Sequence, residues 1–168
     1  MAAAWFTAYA RLEKRKQMKQ PILSALCLGT MLSLAPLLTL AQDAGVVKLN
    51  KGSNLLERDG ARLPITVGSK VRVNDRVLTG ADGSVGIMLQ DNTMLSAGPN
   101  STLQMNKFAF DTTTHAGTLD ASVKRGTVAV ISGKIAKATP QNVSFSTPSM
   151  TLGVRGTAFI IDAGQRSE

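Results

Sequence analysis

Between Gly45 and Asp162 apolar and polar residues alternate over short runs separated by turn signals, and no stretch sustains the 3.6-residue period of an amphipathic helix. The pattern predicts strands at Val46–Leu49, Ser53–Glu57 and Ala61–Pro64, the last two joined through Arg58-Asp59-Gly60. Val71–Val73 and Arg76–Thr79 follow on either side of Asn74-Asp75. Ser84–Leu89 places Val85, Ile87 and Leu89 on one face, and Asp91-Asn92 turns it into Thr93–Ser96. Further strands are expected at Thr102–Met105 and, as one long element containing Gly126, at Val123–Ser132; Val143 with Phe145 and Phe159 with Ile161 supply the closing inward faces. The expected architecture is all-β, a jelly-roll-like antiparallel β-sandwich of many short strands. With no long linker and no exact repeat, residues 45–162 read as one domain.

The N-terminal part has a different pattern. Pro21 to Ala41 carries no charge, is rich in leucine, follows a basic segment and ends in small residues before Gln42-Asp43. This is the layout of a secretory signal, with an apolar helix at its centre; an uncleaved anchor is the alternative, since about 20 apolar residues can span a bilayer. Residues 1–41 are therefore expected to be an N-terminal extension plus signal peptide, with Met18 an alternative start to Met1. Either reading places residues 45–162 outside the cytoplasm, in the periplasm or otherwise exported, touching a membrane only through the N-terminal segment.

Charge narrows the partners. Of the formal net charge of +8, half belongs to the segment before the apolar run, where Arg11, Lys14, Arg15, Lys16 and Lys19 face only Glu13. The remainder is mildly basic and lacks the concentrated stripe that tracks phosphates, which argues against a nucleic-acid partner. Arg58, Arg62, Lys70, Arg72 and Arg76 cluster in sequence, but Glu57, Asp59 and Asp75 interleave with them, and solvated outward strand positions are expected. Beyond residue 41 there is no Trp, Tyr or Cys, so aromatic platforms for sugars or single strands are scarce. Cys27 lies inside the apolar run, away from any exported site.

No catalytic constellation is visible. His115 is the only histidine and sits in the threonine-rich connection Asp111–Gly117, the place of a solvated loop residue; a Ser-His-Asp system would need that same side chain. Asp82, Asp91 and Asp111 lack the close spacing of a calcium loop, and turn formation explains the first two. The expectation is a protein that is not an enzyme, with no catalytic residues, metal site or cofactor.

Three stretches carry a family pattern: Leu78 to Leu103, containing Thr79-Gly-Ala-Asp-Gly-Ser-Val-Gly; Arg125-Gly-Thr-Val-Ala-Val130; and Ser146-Thr-Pro148 with Gly153-Val-Arg-Gly-Thr-Ala-Phe159. In this order they resemble the FecR domain. The resemblance implies a jelly-roll-like domain of the bacterial envelope, used in signal reception or protein interaction. It makes Gly153, Arg155, Gly156, Thr157 and Phe159 the family motif, read as structural: Arg155 ties a turn to neighbouring backbone while the two glycines allow close approach. The segment before the apolar run is too short for the packed cytoplasmic domain of the best-known members, so direct sigma-factor control is not expected. The expected function is a sensory or protein-interaction module with an envelope protein as partner. The alternative is a glycan- or cell-wall-associated assembly module.

Overall fold

The computed structural model describes residues 43–154 and 158–164. The expected signal segment and three motif residues, Arg155, Gly156 and Thr157, lie outside the described residues. The strands are β1 (Asp43–Lys51), β2 (Asn54–Arg58), β3 (Ala61–Pro64), β4 (Lys70–Arg72), β5 (Arg76–Thr79), β6 (Ser84–Leu89) and β7 (Met94–Ala97). They continue with β8 (Thr102–Phe110), β9 (Gly117–Arg125), β10 (Thr127–Ile131), β11 (Val143–Ser146), β12 (Thr151–Gly153) and β13 (Ala158–Asp162). A one-turn helix α1 (Lys134–Ala138) and a 3₁₀ turn at Pro140–Asn142 connect β10 to β11. Among the described residues no helix is long and apolar enough to cross a membrane.

These strands form two sheets, ordered β13-β10-β7-β6-β1-β4 and β12-β11-β9-β8-β5-β2-β3. Both contribute inward residues to one buried cluster: Val47, Ile87, Leu95 and Val130 from the first, Leu103, Met105, Leu119 and Phe145 from the second. The alternation read from sequence is therefore the alternation between core and outer face. Turn chemistry holds at the expected places. Asp59 and Gly60 both have positive φ, 51° and 79°, as the tight turn between β2 and β3 requires, and Asn74 and Asn92 take φ of 71° and 66°.

Two expectations are corrected. Val123–Ser132 is not one strand: β9 ends in the seven-stranded sheet, Gly126 turns with φ 77°, and β10 begins in the six-stranded sheet. A Cβ on Gly126 would lie 2.6 Å from Ser101 Cα, so the change of sheet needs both a left-handed backbone and close contact with the facing turn. The sandwich is also not wholly antiparallel, because β11 pairs parallel with β9 after α1 returns the chain to that sheet.

Candidate functional site

The basic residues singled out in the sequence are held in ion pairs. Asp75, only 1% exposed in its side chain, accepts from Arg58 Nη2 at 2.6 Å and Nε at 2.8 Å, and from the Arg72 amide at 2.7 Å. Arg58 also donates to the Lys70 carbonyl. The expectation of solvated positions is corrected at Arg58 alone: the Arg58–Asp75 pair is a partly buried fork that ties β2 to the β4–β5 turn, while Arg62, Lys70, Arg72 and Arg76 stay in contact with water. The carboxylate raises the Arg58 guanidinium pKa above its ordinary value. The other pairs lie nearer water, with Glu57 bridging Arg76 at 3.1 Å and Arg62 at 3.9 Å. Asp43, which the sequence did not point to, holds Lys70 and Arg72 across the β1–β4 pair; chiefly the Lys70 hydrogen bond, then Arg72, keeps its carboxyl below the usual aspartate range.

The three aspartates considered for calcium are in separate places with separate work. Asp82 accepts the Ser53 amide at 3.2 Å. Asp91 is fully buried: its carboxylate accepts from the Thr93 amide and hydroxyl and from the Ile135 amide, and its carbonyl accepts from the Lys134 amide, so it docks α1 against the β6–β7 turn. Asp111 caps its own loop by accepting the Thr113 and Thr114 amides, which hold its pKa below the ordinary value. His115 is exposed in that loop with φ 59°, its ring stacked 6.2 Å from Phe110. It meets neither a nucleophile nor an orienting acid side chain among the described residues.

Of the motif segment, Gly153 ends β12 in the seven-stranded sheet and Ala158 begins β13 in the six-stranded sheet. Val154 is buried, and Phe159 packs edge-on against Phe145 with ring centroids 5.5 Å apart. Among the described residues a Cβ on Gly153 would meet nothing within 4 Å. Between β12 and β13 lies a mainly apolar groove of about 350 Å³, lined by Met150, Leu152, Val154, Phe159 and Ile161 among others.

The most unusual surface is one the sequence reading missed. On the outer side of the six-stranded sheet, strand register lines up two rows: Val46, Met88, Met94, Ile131 and Ala158 in one, Leu49, Gly86, Ser96, Ala129 and Ile160 in the other. No charged residue stands in either row across β1, β6, β7, β10 and β13; Lys70 of β4 stands opposite Val46 at the end of the first row, Lys48 lies in the β1 bulge, and Lys51 and Asp162 stand at the margins. Ile160 is 72% exposed, Ile131 51% and Leu49 49%. Gly86 lets Leu49 lie across the sheet, since a Cβ there would come within 3.1 Å of Leu49 Cβ. A solvated outer face normally alternates to charged or polar residues, and contiguous apolar patches mark interaction sites.

The sheet edges differ in the same way. β4 carries Lys70 and Arg72, β3 carries Arg62 and Pro64, and β12 has three residues ending in glycine, all features that discourage strand addition. β13 pairs regularly with β10 over all five residues, and its first four, Ala158-Phe-Ile-Ile161, include no charge, proline or glycine. The sequence signal was available in two charge-free runs, Thr127–Gly133 and Ala158–Ile161.

A search of the curated proteins finds no match. Among solved structures, one described as a cell surface anchoring domain aligns with 27% identity over 39% of this chain and 87% of its own, at a TM-score of 0.37. The FecR protein family matches residues 75–168, a span that runs from the buried Asp75 through β13 and contains all three sequence stretches that resembled it. The chain belongs to the FecR protein family.

Proposed function

We propose that this chain is a non-enzymatic module of the bacterial envelope, a sensory or protein-interaction domain that binds a protein partner outside the cytoplasm through the outer face of β6, β7, β10 and β13. The observation that carries this reading is the pair of uncharged rows with Ile131 and Ile160 open to water. Burying an isoleucine of this kind against a partner stabilises a complex by roughly 1.5–3 kcal/mol. Membership of the FecR family and the apolar run behind a basic segment support an exported location. The ionic side chains support a binding role over catalysis, because Asp75, Asp91 and Asp43 are spent on joining elements. We read the sandwich as jelly-roll-like, supported by the repeated exchange of the chain between its two sheets.

The test is capture of a partner from envelope extracts by the full chain and by Ile131→Lys, with protease protection in intact cells as the assay of location. A specific protein retained by the wild type and lost with Ile131→Lys supports the reading. Equal capture by both removes the face as the site, and co-sedimentation with wall polysaccharide that survives the substitution favours a glycan-associated module instead.

A further inference from the structure

We infer that β13 pairs with β13 of a second copy of this chain, antiparallel and centred on Ile160, so that two six-stranded sheets continue into one. The inference rests on the interaction reading above and names the occupant of one edge of that face.

A twofold pairing requires a strand complementary to itself. Centred on Ile160, β13 places Ile160 against Ile160, Phe159 against Ile161, and Ala158 against Asp162, so all five residues find a partner and no like charges meet. The two Asp162 carboxylates then stand four residue steps apart, about 14 Å at strand rise, beyond the roughly 8 Å screening length of physiological salt. Competing registers are worse. Centring on Asp162 opposes two carboxylates, centring on Ile161 sets Asp162 against Ile160, and a one-residue slip turns the core side of one strand toward the water side of the other.

Both faces gain from the same register. On the outer side the row ending in Ile160 runs on into its symmetry mate, covering the most exposed large apolar side chain among the described residues. On the inner side Phe159 and Ile161 of each copy meet at the mouth of the groove beside Met150 and Leu152, which pairing would close. The other edges oppose this kind of association through charge, proline or short length.

Residues directly opposite in an antiparallel pair have Cα atoms about 4.5–5.5 Å apart, within disulfide reach. The test uses the full chain in detergent with its single cysteine replaced, Cys27→Ser, so the apolar N-terminal run is common to all variants. Ile160→Cys should form a disulfide-linked dimer on oxidation. Ala158→Cys and Asp162→Cys should each remain monomeric alone and cross-link when mixed. Ile160→Lys, at an exposed position, should abolish the dimer in sedimentation while leaving the circular dichroism spectrum unchanged. An Ile160→Cys chain that stays monomeric, or cysteines that cross-link equally at all three positions, would overturn the pairing. Retained capture of an envelope partner by a chain that does not dimerise would overturn self-pairing alone and leave the interaction reading standing.

Discussion

The two outer faces of the sandwich solve the problem of exposure differently. On the seven-stranded sheet, polar side chains bond to one another across strands. Glu57 bridges Arg62 and Arg76, while Asn106 donates to Asp120 at 3.0 Å and to Ser122 at 2.7 Å, and Ser122 and Ser146 share a hydrogen bond of 2.7 Å. On the six-stranded sheet the equivalent positions carry Met94, Ala129, Ile131 and Ile160, which have no polar contact to make. Outside an apolar row of Pro64, Leu55 and Leu78, the first face is largely satisfied within the chain; the second gains only when something else covers it. The difference separates a surface that contributes to folding from one available for recognition, and substitutions should act on stability at one and on association at the other.

The largest effect should come from the ion pair beside the polar face. Arg58→Met leaves the buried Asp75 carboxylate without its main partner, and a loss of about 3–5 kcal/mol in urea denaturation is expected. A loss under about 1 kcal/mol would mean that water or Arg72 replaces the guanidinium, and would weaken the view that this region is held by specific polar contacts. Ser122→Ala, which removes the centre of the Asn106–Ser146 network, should cost about 1 kcal/mol. A neutral result would make that face merely polar.

Asp43 gives a smaller, pH-dependent effect. Its folded pKa is depressed, so its contribution is complete above the unfolded aspartate value near 4 and is lost as the pH falls through the lower folded value. Acid titration of stability should therefore show a decline below about pH 4 that is reduced in Asp43→Asn and in high salt, because the Lys70 and Arg72 partners are largely exposed. Identical acid profiles for the two chains would remove Asp43 from the account. On the opposite face, Ile131→Lys should change stability by less than about 0.5 kcal/mol, since the residue is already half exposed on the outer side of the sheet.

Much of the local structure was legible in the chain. β3, β5 and β6 begin and end where alternation placed them, and the turns at Asp59-Gly60 and Asn92 adopt the positive φ that their residue types favour. The break at Gly126 was not, because alternation continues through Val123 to Ile131 and does not record a change of sheet. The fork of Arg58 on Asp75 was hidden for a related reason: the residues are 17 apart in sequence and meet only when β2 and β5 pair. Of the motif, Phe159 was rightly placed toward the core side, where it packs against Phe145.

By itself the sequence determined strand positions, turn chemistry and family, because these depend on side chains a few residues apart and on a pleat of period two. Tertiary structure alone decided which strands are neighbours, which edges stay open and which outer positions line up. Met94, Ile131 and Ile160 lie far apart along the chain, and pairing β7, β10 and β13 turns them into one surface.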